Sequence, residues 1–231
     1  MTGGNEGSDK QWCFAWFQAT PPKTGTDKAV LVKDCKWETG ATITIAFLDG
    51  TDEQKELVKK HAAGWTDGLA NLNFSWVNGA VANIRITFKF KGSWSVIGTT
   101  CKHIPAGRAT MNFGWLTPNV SDDEARRVIL HEFGHALGLI HEHQNPDHQI
   151  QWNEPAVIAD LSGPPNNWDL ETIKHNMFEA YPRNEVNGTT LDTTSIMMYP
   201  IPASWTVDGT ISGTNADLSP KDKSFIRQQY P

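Results

Sequence analysis

The chain has 231 residues, of which 39% are hydrophobic, so it can bury a substantial core and lies at the upper end of what one domain holds. A net charge of -6 and a pI near 5.7 give no basic surface that would favour nucleic acid or an anionic membrane as a partner. No apolar run reaches the length of a membrane helix, and the first residues lack the basic start and apolar core of a secretory signal, so a cytoplasmic location, another export route and a removed leader all stay open.

The beginning of the chain has the composition of an arm attached to a domain. Residues 1 to 11 are polar and rich in glycine, and residues 18 to 28, QATPPKTGTDK, have the composition of a linker. We therefore predict an N-terminal arm over residues 1–35 and a compact domain over residues 36–231.

Three cysteines do not fix the redox compartment. Cys13, Cys35 and Cys101 are an odd number without metal-ligand spacing, so at most one disulfide and one free thiol can form within the chain. Small buried side chains are the other interpretation.

The sequence of the first half of the domain predicts a sheet and one long helix. The alternation in ATITIAF (41–47) is typical of a half-buried strand, and Thr51 with Gln54 three residues later predicts the capped start of a helix. Further strands are predicted over residues 72–77, 83–90, 95–101 and 109–115, the second of them with Ile84, Ile86, Phe88 and Phe90 on one side.

A second long helix is predicted over residues 121–138. Ser121 and Glu124 form a capping-box pattern, acids fill the first turn, and Gly138 is a helix terminator. Beyond it the chain is rich in Pro, Asn and Gly, with short helices predicted at about 154–161, 167–179 and 220–229. The pattern indicates an α+β domain with a loop-rich second half.

The second helix carries HEFGHALGLIHEH at residues 131 to 143. Residues four apart lie on one face of a helix, so His131 and His135 can direct their ring nitrogens at one ion. Glu132 is rotated about 100° from His131, which suits it to act on a metal-bound water as general base.

Gly138 and His141 complete this pattern. A glycine three residues after His135 can take a left-handed conformation and reverse the chain, so that His141 supplies a third imidazole. Three protein ligands leave the fourth position of tetrahedral zinc open for water, which is typical of catalytic zinc. The sequence HExxHxxGxxH therefore predicts one catalytic Zn²⁺ bound by His131, His135 and His141.

These residues resemble the zinc site of the metzincin endopeptidases. SIMMY (195–199) resembles the methionine turn of that clan, and the pair His141-Glu142 with the Ser-Ile-Met-x-Tyr form of the turn is most like the astacin family. The resemblance implies an α+β metzincin fold: a lobe over about 36–138 with a twisted mixed sheet and two long helices, a smaller loop-rich lobe over 139–231, and zinc in the cleft between them.

The resemblance also implies roles for single residues. Met197 would support the histidines from below. Tyr199 would be a further zinc ligand that swings away to stabilise the oxyanion, so it belongs with Glu132 among the catalytic residues. Glu142 would be buried near the mature N-terminus. The implied substrate is a protein or peptide, lying antiparallel to an exposed edge strand within residues 95–104.

The same resemblance implies a secreted, monomeric zinc endopeptidase that acts on neither nucleic acid nor membranes. The four-cysteine framework usual in astacin domains is missing, which indicates a divergent member. The alternatives are a matrixin-type peptidase and a metzincin scaffold that only binds; Glu132 favours an enzyme, because a binding protein has no need of the general base.

Other candidate residues are weaker. Cys13, on the arm, could cap the metal as latency residues do in some metzincins, which would make residues 1–35 a pro-segment-like extension. Alternatively, Cys13 could form a disulfide with Cys35 or Cys101, or stay free. The remaining histidines are interpreted as spectators, either next to the motif or as isolated surface or capping residues: His143, His148, His61, His103 and His175.

Overall fold

A computed structural model gives the architecture of the protein and describes residues 14–16, 33–147, 150–164, 166–180, 182 and 190–231. Six strands form one mixed sheet in the order β1-β5-β6-β4-β2-β3. Only β5 and β6 are antiparallel; the other four pairings are parallel. The predicted α+β class and mixed sheet are confirmed.

The elements follow one another in chain order. The strands are β1 (Phe14–Trp16), β2 (Thr42–Phe47), β3 (Asn73–Trp76), β4 (Ile84–Thr87), β5 (Ser93–Val96) and β6 (Met111–Phe113). The helices are α1 (Asp52–Ala62), α2 (Asp122–Ala136), α3 (Glu154–Ser162), α4 (Leu170–Ile173, continued by a π-helical turn to Phe178) and α5 (Pro220–Gln229).

Both long helices begin at the residues predicted from their N-terminal capping sequences, Thr51 and Ser121. Thr51 and Gln54 form the full capping box of α1. At α2 only half of the predicted box is present: the Ser121 hydroxyl accepts the Glu124 N–H at 3.2 Å, but the Glu124 carboxylate binds Arg127 instead. An ion pair one turn along the helix is the stronger interaction for that carboxylate.

Two predicted strands differ from the structure. The strand over 83–90 ends at Thr87, and Phe90 is 56% exposed rather than on the buried side. The strand predicted over 95–101 lies at Ser93–Val96 and gives way to a 3₁₀ helix, Gly98–His103. Gly98 has φ +48° and lies so close to the Cys35 carbonyl that a Cβ would come within 2.0 Å of it, so this glycine ends the strand.

The substrate-side edge expected within residues 95–104 is not exposed. β5 pairs with β6 on one side and, on the other, with β1 of the N-terminal arm, in a register that sets Ala15 opposite Ser95. The arm therefore supplies the outermost strand of the sheet at this edge.

The described residues form two hydrophobic cores. The larger one packs the sheet against α1 and α2 and includes Trp65, Phe113 and Phe133. The smaller one lies in the second half, around α3 and Trp205, and includes Tyr199. None of the helices in the described ranges is long and apolar enough to cross a membrane.

Candidate metal centre

Helix α2 carries the first two imidazoles on one buried face. His131 and His135 are 4% and 0% exposed, and their ring centroids lie 4.8 Å apart. Trp65 and Phe133 are fully buried in the core that surrounds the helix, and the Trp65 indole N–H donates to the Leu130 carbonyl at 2.8 Å. This packing fixes the helix that presents the two rings.

The chain reverses at Gly138, as predicted. Gly138 has φ +98°, and the N–H groups of Gly138 and Leu139 return to the carbonyls of His135 and Gly134. A residue with a Cβ is strained in this left-handed conformation, which explains the glycine.

Two side chains from distant parts of the sequence hold the end of α2 at this turn. The Trp37 indole N–H donates to the Ala136 carbonyl at 2.9 Å, and the Tyr230 hydroxyl donates to the Leu137 carbonyl at 2.7 Å. Both carbonyls lie at the C-terminal end of α2, where no following helical turn supplies N–H groups to them.

The turn brings His141 beside the helical pair. One ligand atom from each of His131, His135 and His141 lies within 4.8 Å of the others, and all three residues are buried. This is the one cluster of at least three metal-ligating side chains in the part of the chain that the structure describes.

The hydrogen bonds of the two helical imidazoles leave one ring nitrogen of each for a metal. Nδ1 of His131 donates to the Ile196 carbonyl at 2.8 Å, and Nδ1 of His135 donates to the Leu139 carbonyl at 2.9 Å. The Nε2 atom of each ring is buried without a hydrogen-bond partner. Buried nitrogens of this kind are costly unless they bind something, and an Nδ1–H bonded to a carbonyl is the usual support of a metal-binding Nε2.

The electrostatic setting keeps the three rings neutral. Burial, followed by the charge of neighbouring histidines, holds the pKa of His131 and of His141 well below the ordinary value, and burial lowers the pKa of His135 to about 4. Neutral imidazole is the form that binds metal, so the site is ready for a cation at neutral pH. The donor set of three imidazoles suits Zn²⁺.

The predicted methionine turn packs against the helix that carries two of these histidines. Met197 is buried, and its Sδ would be 2.4 Å from a Cβ placed on Gly134, which lies between the two helical histidines. The Met197 carbonyl also accepts the Glu142 N–H at 3.0 Å. The turn thus contacts both the helix and the segment that carries His141.

Glu132 and Tyr199 both lie in this buried region. Glu132 is fully buried. The Tyr199 ring is 2% exposed and packs against His141, with centroids 4.2 Å apart, and against His131 at 6.3 Å.

Glu142 is buried in a small acidic cavity behind the turn. Its Oε1 accepts the Asp192 N–H at 3.0 Å, and Asp222 lines the same cavity. Burial, assisted by the charges of Asp222 and Asp192, raises the pKa of Glu142 to about 8.

Two of the histidines interpreted as spectators, His143 and His61, are buried and make side-chain contacts. His143 is fully buried; it stacks near Tyr199, with centroids 4.8 Å apart, and its Nε2 donates to the Asn176 carbonyl. His61 is 7% exposed and pairs with Asp122, joining α1 to the start of α2. His61, interpreted as an isolated surface or capping residue, is instead a buried residue that pairs with Asp122.

Within the described ranges, the other secondary candidates do not join the three-histidine cluster. His103 and His175 are exposed, and His175 pairs with Glu179. Cys35 and Cys101 are not joined to each other by a disulfide. Cys13 and His148 lie outside the described residues.

The sequence profile of the astacin peptidase family (family M12, subfamily A) matches residues 30–230. A search of curated proteins found no significant match. Among solved structures, "Structure of myroilysin" is 40% identical with a TM-score of 0.84, covering 87% of this chain and 98% of that one. "Crystal structure of myroilysin" is 35% identical with a TM-score of 0.69, covering 99% and 93%.

A more distant structure shares the fold. It is "High choriolytic enzyme 1", a hatching enzyme zinc-protease from Oryzias latipes (Medaka fish), at 18% identity and a TM-score of 0.59, covering 85% of this chain and 94% of that one. Together with the profile match over 30–230, the buried three-histidine centre leads to one conclusion. The chain belongs to the astacin family and is a zinc metallopeptidase.

Proposed function

We propose that the protein is an endopeptidase that holds one catalytic Zn²⁺ with His131, His135 and His141. The observation that carries this proposal is the pair of buried Nε2 atoms of His131 and His135, each left without a hydrogen-bond partner while Nδ1 is bonded to a carbonyl. When bound there, zinc activates a water molecule and polarises the scissile carbonyl.

Glu132 is the proposed general base. It follows His131 directly on α2 and is fully buried beside the ligands, where water is scarce and a carboxylate can take a proton from the attacking water. The same carboxylate then delivers that proton to the leaving amine nitrogen. The peptide bond is hydrolysed without a covalent intermediate on the protein.

Tyr199 is the proposed second catalytic residue. Its ring packs on His141, so its hydroxyl can serve as a further zinc ligand and, after swinging away, as a hydrogen-bond donor to the oxyanion. The neighbouring ring of His143 limits where this swing can go.

Met197, Gly138 and Glu142 are proposed to support the ligands rather than to touch the substrate. Met197 packs under Gly134, Gly138 makes the reversal that brings in His141, and the Glu142 N–H donates to the Met197 carbonyl. Each contact ties one ligand-bearing segment to another.

The N-terminal arm, residues 1–35, is proposed to act as a pro-segment-like extension of the catalytic domain, residues 36–231. What supports this is the parallel pairing of β1 with β5, at the edge where an extended substrate would add as a strand. A substrate and the arm cannot both pair with the same edge.

Proline substitutions in β1 test this competition. Along a strand, alternate residues direct their N–H groups to the neighbouring strand, so only one of Ala15→Pro and Trp16→Pro removes a hydrogen bond to β5. We expect that variant to cleave peptides several-fold faster than the unaltered full chain, whereas the other variant, its matched control, stays close to the unaltered rate. Equal rates for all three proteins would contradict the proposal.

The proposed substrates are proteins and peptides, which follows from membership of a peptidase family. We further propose that the enzyme acts as a monomer outside the cell.

Metal removal tests the proposed activity directly. The full chain and the two β1 variants are incubated with a diverse peptide library, before and after treatment with a zinc chelator, and zinc content is measured in each sample. We expect internal peptide bonds to be cleaved, cleavage to stop when zinc is removed, and one equivalent of added zinc to restore it. Cleavage by zinc-free protein, or none by any zinc-loaded sample, would refute the proposal.

A further inference from the structure

The methionine turn is held from behind by a buried carboxylate of α5. Asp222 lies in the first turn of that helix and is 9% exposed. Its Oδ1 accepts the Ser195 hydroxyl at 2.7 Å, and its Oδ2 accepts the N–H groups of Ile196 and Ser219 at 2.8 and 2.9 Å. All three donors therefore converge on one side chain 26 or 27 residues beyond the turn.

Ser195 continues these contacts toward the metal centre. Its Oγ donates its proton to Asp222 and accepts the Met197 N–H at 3.0 Å. That N–H belongs to the same peptide group as the Ile196 carbonyl, which accepts Nδ1–H of His131 at 2.8 Å. Carboxylate, hydroxyl, peptide group and imidazole thus form one chain of hydrogen bonds in which every proton points toward Asp222.

We propose that Asp222 and Ser195 are positioning residues for the metal ligand His131, acting through the Ile196–Met197 peptide group. Hydrogen bonds aligned in this way polarise one another, so a carboxylate at one end makes the Ile196 carbonyl a better acceptor. A better acceptor fixes the proton on Nδ1 and increases the electron density on Nε2, which strengthens its bond to zinc. The inference rests on the proposed zinc site.

His135 provides an internal comparison. Its Nδ1 donates to the Leu139 carbonyl in the adjoining turn, a contact made within four residues. His131, in contrast, is supported by a peptide group 65 residues away and, through it, by α5. The relay from Asp222 is therefore specific to one ligand.

Asp222 also caps α5, and the test must separate that structural role from the relay. The Ser219 hydroxyl accepts the Asp222 N–H at 2.9 Å and donates to Asp192 at 2.7 Å, so Ser219→Ala weakens the cap without touching Ser195 or the turn. Ser219→Ala is accordingly the matched control.

The experiment measures the zinc dissociation constant of the full chain by competition with a chelator, alongside thermal unfolding of each protein. We expect Ser195→Ala and Asp222→Asn each to weaken zinc binding about tenfold, as substitutions behind metal ligands commonly do. The double variant should bind zinc no more weakly than whichever single variant has the lower zinc affinity, because both substitutions break the same chain of hydrogen bonds. Ser195→Thr, which keeps the hydroxyl, should restore binding, and Ser219→Ala should lose thermal stability but keep its zinc affinity.

Cobalt provides a second readout that loss of stability alone does not change. The visible absorption of Co²⁺ bound at the site should shift in Ser195→Ala and Asp222→Asn but not in Ser219→Ala. The inference is overturned if Ser195→Ala binds zinc as tightly as the unaltered chain, or if Ser219→Ala weakens binding equally. Failure of the unaltered chain to bind zinc at all would instead overturn the proposed function.

Discussion

Replacing Glu132 by glutamine is expected to lower kcat for peptide cleavage by about 10²- to 10⁴-fold, the range that a positioned general base contributes. Glutamine keeps the size of the buried side chain but cannot accept the water's proton. Because the three imidazoles are untouched, zinc content should stay at that of the unaltered protein.

The comparison with an exposed acid makes this result specific. Glu171 lies on α4 at the surface, so Glu171→Gln removes the same charge away from the metal centre. Steady-state cleavage of one peptide by the two variants, with zinc measured in both, is sufficient. Equal rates for Glu132→Gln and the unaltered enzyme would eliminate Glu132 as the base.

Replacing His135 by alanine should remove the metal itself. Zinc bound by four protein ligands gains roughly 10–16 kcal/mol, or about 2.5–4 kcal/mol per ligand, so the loss of one imidazole should weaken binding by about 10²- to 10³-fold. Peptidase activity should then disappear at low free zinc and return in part when zinc is added in excess.

His103 is the appropriate control because it is exposed and outside the centre. His103→Ala should bind one equivalent of zinc with unchanged affinity and cleave peptides at the unaltered rate. Titration of both variants with zinc against a chromophoric chelator measures the difference. If His135→Ala retained full affinity, this residue could not be a ligand.

Local sequence patterns predicted the helices better than the strands. The caps at Thr51, Ser121 and Ser219 lie within three residues of the groups that they bind, so a short stretch of sequence contains the whole interaction. The end of β5 is different. Gly98 ends that strand against the carbonyl of Cys35, which is distant in the sequence, and no pattern within 95–101 contains that contact.

In the metal centre, too, local features were predictable from the sequence and long-range contacts were not. HExxHxxGxxH predicts the clustering of His131, His135 and His141 because helix geometry and one glycine turn determine it within eleven residues. The burial of His143 against Tyr199 and the contacts of Asp222 join segments far apart in the chain. The sequence predicted a short helix at about 220–229, but not that Asp222 in its first turn reaches the methionine turn.

The bond between the Tyr230 hydroxyl and the Leu137 carbonyl spans 93 residues. A peptide containing only residues 131–141 would carry all three proposed histidine ligands, yet nothing in it would hold the end of the helix or the turn that follows. We therefore expect the metal centre to reach its final geometry only after α5 has docked during folding. Zinc binding should then depend on contacts of high sequence separation as well as on the motif itself.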